Sequence, residues 1–303
     1  MEICRICGKP VDNVIYSTTG KSLTSVKEIV DIPLKVYLCN YCSLLQKDSL
    51  ENIKEYYSSE YKISLDSYTF DQLHYIENGK FIYRTGVQAV VVLGSGSMKN
   101  NAIVLDYGCG KATTLKHIID SRPDIIPYVF DVSDSYREVW DTFIPKENQA
   151  SFIPPESWDK KFDLITAFFV LEHTDNLYEL LENVYRLLKD NGTFLFMVPN
   201  ILTNLGDFLV VDHINHFSEV SLKELLFKAG FNLYHIETNK FRGAFICRAS
   251  KKDISKFTNE IDNIVNFYTS LDRKLDAVEN VPTAIFGAGV YGSYIYMKIK
   301  DRC

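Results

Sequence analysis

The sequence predicts an α/β protein with a doubly wound, mostly parallel sheet. Strand-like and helix-like segments alternate through residues 102–230, and two β-rich segments, residues 231–236 and 244–249, close the series as a terminal hairpin. Repeated alternation of this kind builds a parallel sheet with helices on both faces. A second observation is the turn Asp-Tyr-Gly-Cys-Gly at residues 106–110, which directly follows an apolar run. Spaced glycines after a strand are typical of a nucleoside-binding turn.

The composition of the chain limits the class of protein to which it can belong. The chain has 303 residues, which is enough for two domains of about 100–200 residues each. Hydrophobic residues make up 46% and charged residues 24%, as in an ordinary globular protein. There is no apolar tract of about 18 residues and no apolar signal segment, so we expect a cytoplasmic protein with no membrane partner. The net charge of -6 opposes binding to a phosphate backbone, so we expect no nucleic acid.

Two CxxC pairs lie near the N-terminus. Cys4 and Cys7 form one pair and Cys39 and Cys42 the other, and each pair can offer two thiolates to a tetrahedral Zn²⁺. Four thiolates leave no open position, so we expect a structural zinc ion. Free buried cysteines or a redox pair are the alternatives. Residues 49–83 are rich in tyrosine and are expected to be helical with loops.

The strands and helices follow from residue periodicity. Residues 102–105 predict the opening strand and residues 113–119 a short helix. Residues 128–130 predict a strand that ends at Asp131, and an acid about 21 residues after Gly110 is placed to bind ribose hydroxyls. The remaining predictions are a short strand at 151–153, a buried strand at 162–171, a helix at 177–188 capped by Thr174 or Asp175 and ended by Gly192, a strand at 193–198, and a helix opened by a capping box from Ser221 to Glu224.

The C-terminal residues predict a separate unit. Residues 251–278 carry apolar side chains at helical spacing, and residues 283–292 predict a strand that runs into the pattern Gly287-x-Gly289-x-x-Gly292. Only eleven residues follow Gly292, so we expect a truncated βα unit that packs without a ligand. An NAD-dependent oxidoreductase would need the complete second domain.

With these motifs in place, residues 85–250 resemble class I S-adenosylmethionine-dependent methyltransferases. The resemblance rests on the turn at residues 106–110, on Asp131, on Phe-Asp-Leu-Ile at 162–165 with Leu-Glu-His at 171–173, and on the run RLLKDNGTFLFMVPN. With the double CxxC and the later AIFGAGVYG, the whole chain resembles nucleotide-sugar C-methyltransferases. That resemblance implies a zinc-binding domain at residues 1–84, a Rossmann-like methyltransferase domain at 85–250 and an incomplete C-terminal α/β unit at 251–303.

The resemblance also implies roles for individual residues and a small-molecule sugar substrate. The turn should lie beneath the donor S-adenosylmethionine and residues 151–153 beside its adenine. The residues expected to bind or flank the donor are Asp106, Gly108, Gly110, Asp131, Phe169, Leu171 and Glu172.

A base is needed if the acceptor is a carbon next to a sugar ketone, and a histidine with a pKa near neutral suits this. The candidates lie in the segment Asp-His-Ile-Asn-His-Phe-Ser at residues 212–218. The family has an acid-histidine pair here, which Asp212 and His213 match, and His216 is a further candidate. The tyrosine and histidine that precede this pair in the family are Val210 and Val211 here.

Two other functions remain open from the sequence. One is O- or N-methylation of another small molecule. The other is a noncatalytic, zinc-dependent binding protein that retains the fold. The oligomeric state is also left open.

Overall fold

The computed structural model describes residues 2–49, 71–253, 255–277 and 289–302. The chain divides into two units, Met1–Lys251 and Lys252–Cys303, and each is described by itself. The predicted strand at residues 283–286 and most of the tyrosine-rich segment, residues 50–70, lie outside the described residues.

Short antiparallel strands surround the four N-terminal cysteines. Each CxxC sequence closes a tight turn, in which Gly8 N donates to Cys4 O at 3.0 Å and Ser43 N donates to Cys39 O at 2.9 Å. The strands are β1 (Glu2–Ile3), β2 (Pro10–Val11), β3 (Val14–Ser17), β4 (Ser22–Leu23), β5 (Ile29–Val30), β6 (Lys35–Leu38) and β7 (Leu45–Lys47). Within this set, β1 pairs with β2, β4 pairs with β5, and β6 lies between β3 and β7.

The described end of the tyrosine-rich segment is a β-hairpin, so the prediction of helix is wrong for residues 73–83. Its strands are β8 (Leu73–Glu77) and β9 (Lys80–Tyr83), followed by helix α1 (Arg84–Leu93). Asn78 and Gly79 form the turn with φ angles of 49° and 76°. Two central residues with positive φ suit the twist of a two-residue hairpin, and Asn-Gly is the sequence that tolerates them best.

A mostly parallel sheet organises the rest of the first unit. Its strands are β10 (Ile103–Tyr107), β11 (Ile126–Asp131), β12 (Gln149–Ser151), β13 (Phe162–Phe168), β14 (Leu188–Pro199), β16 (Phe231–Glu237) and β17 (Ala244–Lys251). Strand β15 (Asn215–His216) belongs to a neighbouring sheet. Their order is β12-β11-β10-β13-β14-β17-β16 among the described residues, with β15 paired to β7 instead. The first five strands in this order are parallel to one another. Strand β17 pairs antiparallel with β14, and β16 pairs antiparallel with β17. The predicted doubly wound class and the terminal hairpin are confirmed.

Helices cover both faces of this sheet. They are α2 (Thr113–Ser121), α3 (Arg137–Trp140), α4 (Leu177–Leu187) and α5 (Glu219–Lys228), with 3-10 turns at Lys146–Asn148, Glu156–Trp158, Leu171–His173 and Leu205–Leu209. Alternate strand residues point to opposite faces. Leu105 and Ile165 therefore lie in one buried cluster, and Val104 and Leu164 lie in the other.

Helix α4 and the strand after it differ from the prediction at both ends. Asn176 is the N-cap, and its side chain accepts a hydrogen bond from Glu179 N at 3.2 Å. The helix ends at Leu187 because Leu188 already pairs with Phe162 in the sheet. Gly192 lies inside β14, where a Cβ would come within 2.9 Å of Phe162 O. The glycine therefore serves strand packing and does not end the helix.

The cap of α5 also differs from the prediction. Ser218 is the N-cap, and Ser221 occupies the third helical position. Ser221 N donates to Ser218 Oγ at 3.1 Å, and Ser218 N donates to Ser221 Oγ at 2.8 Å. The helix therefore begins three residues earlier than the pattern from Ser221 to Glu224 predicts.

The second unit contains two helices in its described part. They are α6 (Ser255–Asp276) and α7 (Val290–Ile299), with a 3-10 turn at Lys300–Arg302. Tyr294 Oη donates to Asp272 Oδ1 at 2.6 Å, and Lys298 Nζ lies 3.2 Å from the same carboxylate. The predicted helix within residues 251–278 is confirmed. The helices in the described parts of both units lack the combination of length and apolarity that crossing a membrane requires.

Replacing Ser218 with Ala is expected to lower the free energy of unfolding by about 1 kcal/mol, because the first turn of α5 loses a side-chain acceptor. Urea unfolding followed by circular dichroism measures the change. Glu224→Gln is the matched control and is expected to cost less than about 0.5 kcal/mol, since Glu224 forms a partly exposed pair with Lys228. A greater loss for Glu224→Gln than for Ser218→Ala would favour the sequence-predicted cap.

Candidate active site

A cavity of about 1250 Å³ opens at the carboxyl ends of the parallel strands. It lies where the chain leaves β10 for β11 on one side and returns as β13 on the other, which is where doubly wound sheets bind ligands. Six of the sequence-predicted site residues line this cavity, namely Asp106, Gly108, Gly110, Asp131, Phe169 and His213. Leu171, Glu172, Asp212 and His216 are buried behind the lining.

The turn after β10 forms one wall. Gly108 has a φ of 70°, and a Cβ there would lie 2.6 Å from Val170 Cγ2, so the close packing of this turn requires glycine. Gly110 has a φ of 50° and nothing within 4 Å of an added Cβ. The backbone at Gly110 therefore faces open space that a ligand can fill. Asp106 lies below the turn and accepts from Thr166 Oγ1 at 2.8 Å, and burial raises its pKa to about 7.

Asp131 is held at the end of β11 by two backbone donors. Its Oδ2 accepts from Gly110 N at 2.8 Å and its Oδ1 accepts from Ser133 N at 3.1 Å. Burial raises the pKa of Asp131 to about 6, against the opposing effect of these hydrogen bonds. The carboxylate lines the cavity with lone pairs left to accept from hydroxyl groups. This arrangement fits the ribose of S-adenosylmethionine.

Aromatic and apolar side chains also line the cavity. Phe169 has a φ of 59°, and the guanidinium of Arg84 lies 3.6 Å from its ring centroid. Phe152 and Ile153, from the segment predicted to lie by the adenine, also line the cavity. Leu171 is fully buried in the core, so its position gives it a packing role rather than a place beside the donor.

Another part of the lining holds Asp207, a carboxylate that lies between two histidines. His213 Nδ1 lies 2.6 Å from Asp207 Oδ1, and His216 Nδ1 lies 3.0 Å from Asp207 Oδ2. The acid that contacts His213 is therefore Asp207, not its sequence neighbour Asp212. Asp212 instead accepts from Ser25 N at 2.7 Å and from Ser25 Oγ at 2.6 Å. Sequence reasoning missed Asp207 because no local pattern links it to a histidine six residues later.

The surroundings of His213 and His216 shift the pKa values of the two histidines in opposite directions. Burial lowers the pKa of His213, but the hydrogen bond and charge of Asp207, with the charges of Glu172 and Asp212, outweigh burial and raise it above the ordinary value. Burial dominates at His216 and lowers its pKa to about 4. The pKa of Asp207 is lowered, because both histidines together overcome its burial. His213 is thus the basic member of this group, and it is the one that lines the cavity.

Glu172 and His173 pack behind and beside His213. Glu172 is fully buried, and its carboxylate oxygens have no hydrogen-bond partner among the described residues. Burial raises the pKa of Glu172 to about 8. The ring of His173 lies 4.5 Å from that of His213, edge to face, and its Nδ1 lies 3.1 Å from the Asp212 carbonyl. Burial lowers the pKa of His173 well below its ordinary value.

The N-terminal part of the chain contributes a cysteine cluster and a stretch of cavity wall. The sulfurs of Cys4 and Cys42 lie 3.5 Å apart, as do those of Cys7 and Cys39, and all four lie within 4.8 Å of one another. Four thiolates around Zn²⁺ at about 2.3 Å would be about 3.8 Å apart, so the residues fit this ion. Residues 24–27 reach the cavity from the same part of the chain.

Comparison with known proteins identifies the family. Residues 85–236 match the model of a family described as a methyltransferase domain, and the match covers half of the chain. The chain belongs to this methyltransferase family. The predicted methyltransferase fold and enzyme class are confirmed.

Individual relatives of the methyltransferase each match part of the chain. It is similar to human tRNA N(3)-cytidine methyltransferase METTL6, with 28% identity over 31% of this chain and 37% of that protein. It is also similar to the uncharacterized protein MJ1252 of Methanocaldococcus jannaschii, with 30% identity over 49% of this chain and 52% of that protein. The chain thus spans about half, or less, of the length of these relatives. Among solved structures, human N-acetylserotonin methyltransferase in complex with SAM is 20% identical with a TM-score of 0.45, over 55% of this chain and 52% of that chain.

Asp131→Asn in the methyltransferase is expected to weaken S-adenosylmethionine binding by about tenfold to a hundredfold, because a hydrogen bond to a charged group is worth about 1.5–3 kcal/mol. Isothermal titration calorimetry measures the affinity. Asp134→Asn is the matched control, since Asp134 is exposed three residues further on, and its affinity should stay within about twofold. An unchanged affinity in Asp131→Asn would refute the ribose contact.

Proposed function

We propose that the protein transfers the methyl group of S-adenosylmethionine to a carbon atom of a nucleotide-linked keto-sugar, with His213 as the base. The observation that supports this most is the contact of His213 with Asp207 on a wall of the cavity that the Gly110 turn and Asp131 also line. A proton acceptor and a donor cradle thus face one space. Proximity of this kind converts an encounter of two reactants into a reaction within one complex.

The donor side suits a positively charged ligand. Acidic side chains outnumber lysine and arginine in the cavity lining, so its field favours a cationic sulfonium. When bound, S-adenosylmethionine supplies a methyl carbon activated for in-line displacement. Asp131 would accept from the ribose hydroxyls, and the open backbone at Gly110 would let the donor approach closely.

The acceptor side suits a polar, uncharged ring. Neutral hydrogen-bonding side chains line it, among them Thr24, Ser25, Gln72 and Asn204. Hydroxyl and amide groups match the hydroxyls of a sugar. Lys27 lies in the same lining and would interact with a linked phosphate.

His213 is oriented for proton abstraction through one ring nitrogen. An ionised carboxylate only accepts hydrogen bonds, so the contact with Asp207 places the proton on Nδ1 and leaves the lone pair on Nε2. Nε2 would take the proton from the carbon beside the ketone, and Asp207 would stabilise the imidazolium that forms. Asp212, predicted as the partner of His213, would instead act by holding the loop to Ser25.

A small molecule is favoured over nucleic acid as the acceptor. The human relative is named as a tRNA methyltransferase. In this chain, however, the net charge of -6 opposes binding of a long polyanion. O- or N-methylation of another small molecule is the second candidate, because His213 would serve a hydroxyl acceptor equally well.

We also propose that Cys4, Cys7, Cys39 and Cys42 hold one structural Zn²⁺ and that residues 1–84 form the zinc-binding part of the protein. Closed coordination by four thiolates leaves no position for substrate, so the ion would stabilise the fold. In the same proposal, residues 85–250 bind the donor and residues 251–303 form the separate C-terminal unit.

His213→Asn is expected to lower kcat by about a hundredfold to ten-thousandfold, because general-base catalysis contributes about that much. S-adenosylhomocysteine release with a panel of nucleoside-diphosphate keto-sugars measures the rate. Donor affinity by calorimetry should change less than about twofold, since His213 lies on the acceptor side. O-methylation that depends on positioning alone would survive the substitution, and that result would exclude carbon methylation by this base.

The proposed role of His213 also predicts how kcat/KM depends on pH. His213 must be neutral to act, and its pKa is raised, so kcat/KM should be lost as the pH falls through a value above the ordinary histidine pKa of about 6.5. Asp207→Asn removes the charge that raises this pKa, so its acidic limb should move to lower pH while its plateau falls. Profiles of kcat/KM against pH measure both. A limb at the same pH in both proteins would exclude His213 as the titrating group.

Cys39→Ser is expected to abolish zinc binding and to lower the melting temperature, because structural zinc contributes on the order of 10 kcal/mol to folding. Metal content by mass spectrometry and thermal melting measure the two effects. Cys247→Ala is the control, since Cys247 lies in β17 outside the cluster, and it should retain one zinc ion per chain. Full zinc content in Cys39→Ser would contradict the proposed site.

A further inference from the structure

Lys47 brings a buried amine from the N-terminal sheet to the histidine loop, residues 207–216. Its side chain is 2% exposed. Its Nζ donates to the carbonyl of Val210, and its backbone N donates to Ile214 O at 3.0 Å. One residue of β7 therefore contacts this loop at both ends of the segment that carries His213.

The charges around Lys47 explain why a lysine can be buried there. Burial lowers its pKa to about 7, and the carboxylates of Asp207 and Asp212 act in the opposite direction. Lys47 in turn lowers the pKa of His216. An isolated buried charge is costly, whereas a buried cation among carboxylates is partly compensated.

The position of Lys47 is fixed by the cysteine turn. Arg5 lies between Cys4 and Cys7, and its Nη2 donates to Lys47 O at 2.7 Å. Arg5 Nη1 donates to Ile214 O at 3.1 Å. Strand β7 also pairs with β15, with His216 opposite Leu45. The cysteine turn, Lys47 and the histidine loop are thus joined by direct hydrogen bonds.

We propose that Lys47 is a positioning residue for His213, which holds the histidine loop in place and balances the negative charges of Asp207 and Asp212. The N-terminal cysteine-containing part of the chain then belongs to the acceptor site. This proposal rests on the proposed function for the meaning of His213 as a base, but its electrostatic part is tested without catalysis.

Several charged groups surround His213 and its partners, and Lys47 would act on His213 through Asp207 and Asp212. The facing groups are Asp207 from the turn Leu205–Leu209, Glu172 and His173 from the turn Leu171–His173, Asp212 and His216 from the histidine loop, Arg84 from α1 through Glu172 and His173, and Lys47 from β7. Removing the lysine charge leaves both aspartates less compensated. The field at His213 becomes more negative, so protonated His213 is favoured.

Lys47→Met in the full chain tests this, with ¹H–¹³C NMR titration of the histidine rings as the measurement. The ring signal of His213 is assigned by its loss in His213→Asn. At a fixed pH below about 7, where Lys47 is protonated, the ratio of neutral to protonated His213 should fall about threefold to tenfold relative to wild type, because loss of a positive charge from the cluster stabilises the imidazolium. Lys47→Arg keeps the charge and should restore the wild-type ratio.

Two further variants separate charge from folding. Lys47→Gln keeps a neutral hydrogen-bond donor on the side chain, so it should fold even where Lys47→Met does not, and it should show the same change in titration. Lys21→Met removes an exposed lysine of the same N-terminal part and should leave the ratio unchanged. An unchanged His213 titration in folded Lys47→Gln, or the same change in Lys47→Arg, would overturn the proposal.

The activity profile then distinguishes this proposal from the function on which it rests. With an active acceptor, Lys47→Gln should move the acidic limb of kcat/KM to higher pH, opposite to the shift expected for Asp207→Asn. A limb that does not move would overturn the role of Lys47. If wild type releases no S-adenosylhomocysteine with any acceptor, the proposed function fails, while the NMR titration still decides whether Lys47 controls His213.

Discussion

The pairing of β7 with β15 is the constraint on which the position of the histidine loop depends. Strand β15 is only two residues long and would not persist alone. It becomes the edge of a sheet built by the N-terminal residues, and Ile214 N donates to Glu172 O from its other side. The histidine loop is therefore fixed between two parts of the chain that lie far apart in sequence. Loops that carry functional residues are usually supported by a scaffold, and here the scaffold includes the cysteine cluster.

Because the backbone of the histidine loop is fixed, the charged group around Asp207 can be buried. Asp207 is buried, and it would destabilise the fold unless its charge were matched. His213 and His216 contact its two oxygens, and Lys47 adds a positive charge. Each of these contacts needs the loop in one conformation, because Coulomb interactions and hydrogen bonds weaken steeply with distance. The contacts that hold the histidine loop against the N-terminal part of the chain thus also determine the charges around Asp207.

The sequence was informative where structure is determined by local pattern. The glycine turn after β10, Asp131 at the end of β11 and the terminal hairpin all follow from short-range spacing and periodicity, and the structure contains them. The acid partner of His213 did not follow, because adjacency to Asp212 is not contact and the turn Leu205–Leu209 brings Asp207 back to the ring. Lys47 gave no signal either, since a lysine in a short strand is ordinarily exposed, and its burial depends on contacts with residues about 160 positions away.

The two walls of the cavity are therefore formed by different segments of the chain. The wall proposed to bind the donor contains the turn after β10 and Asp131, all within the 85–236 segment that matches the family. The wall proposed to bind the acceptor adds residues 24–27, which lie outside that segment, and its histidine loop is held by Arg5 and Lys47. In the proposed function, a change in the N-terminal residues alters acceptor contacts and the ionisation of His213 without changing the donor turn. Selectivity for the acceptor is then separable from binding of the donor, because different segments of the chain would make the two sets of contacts.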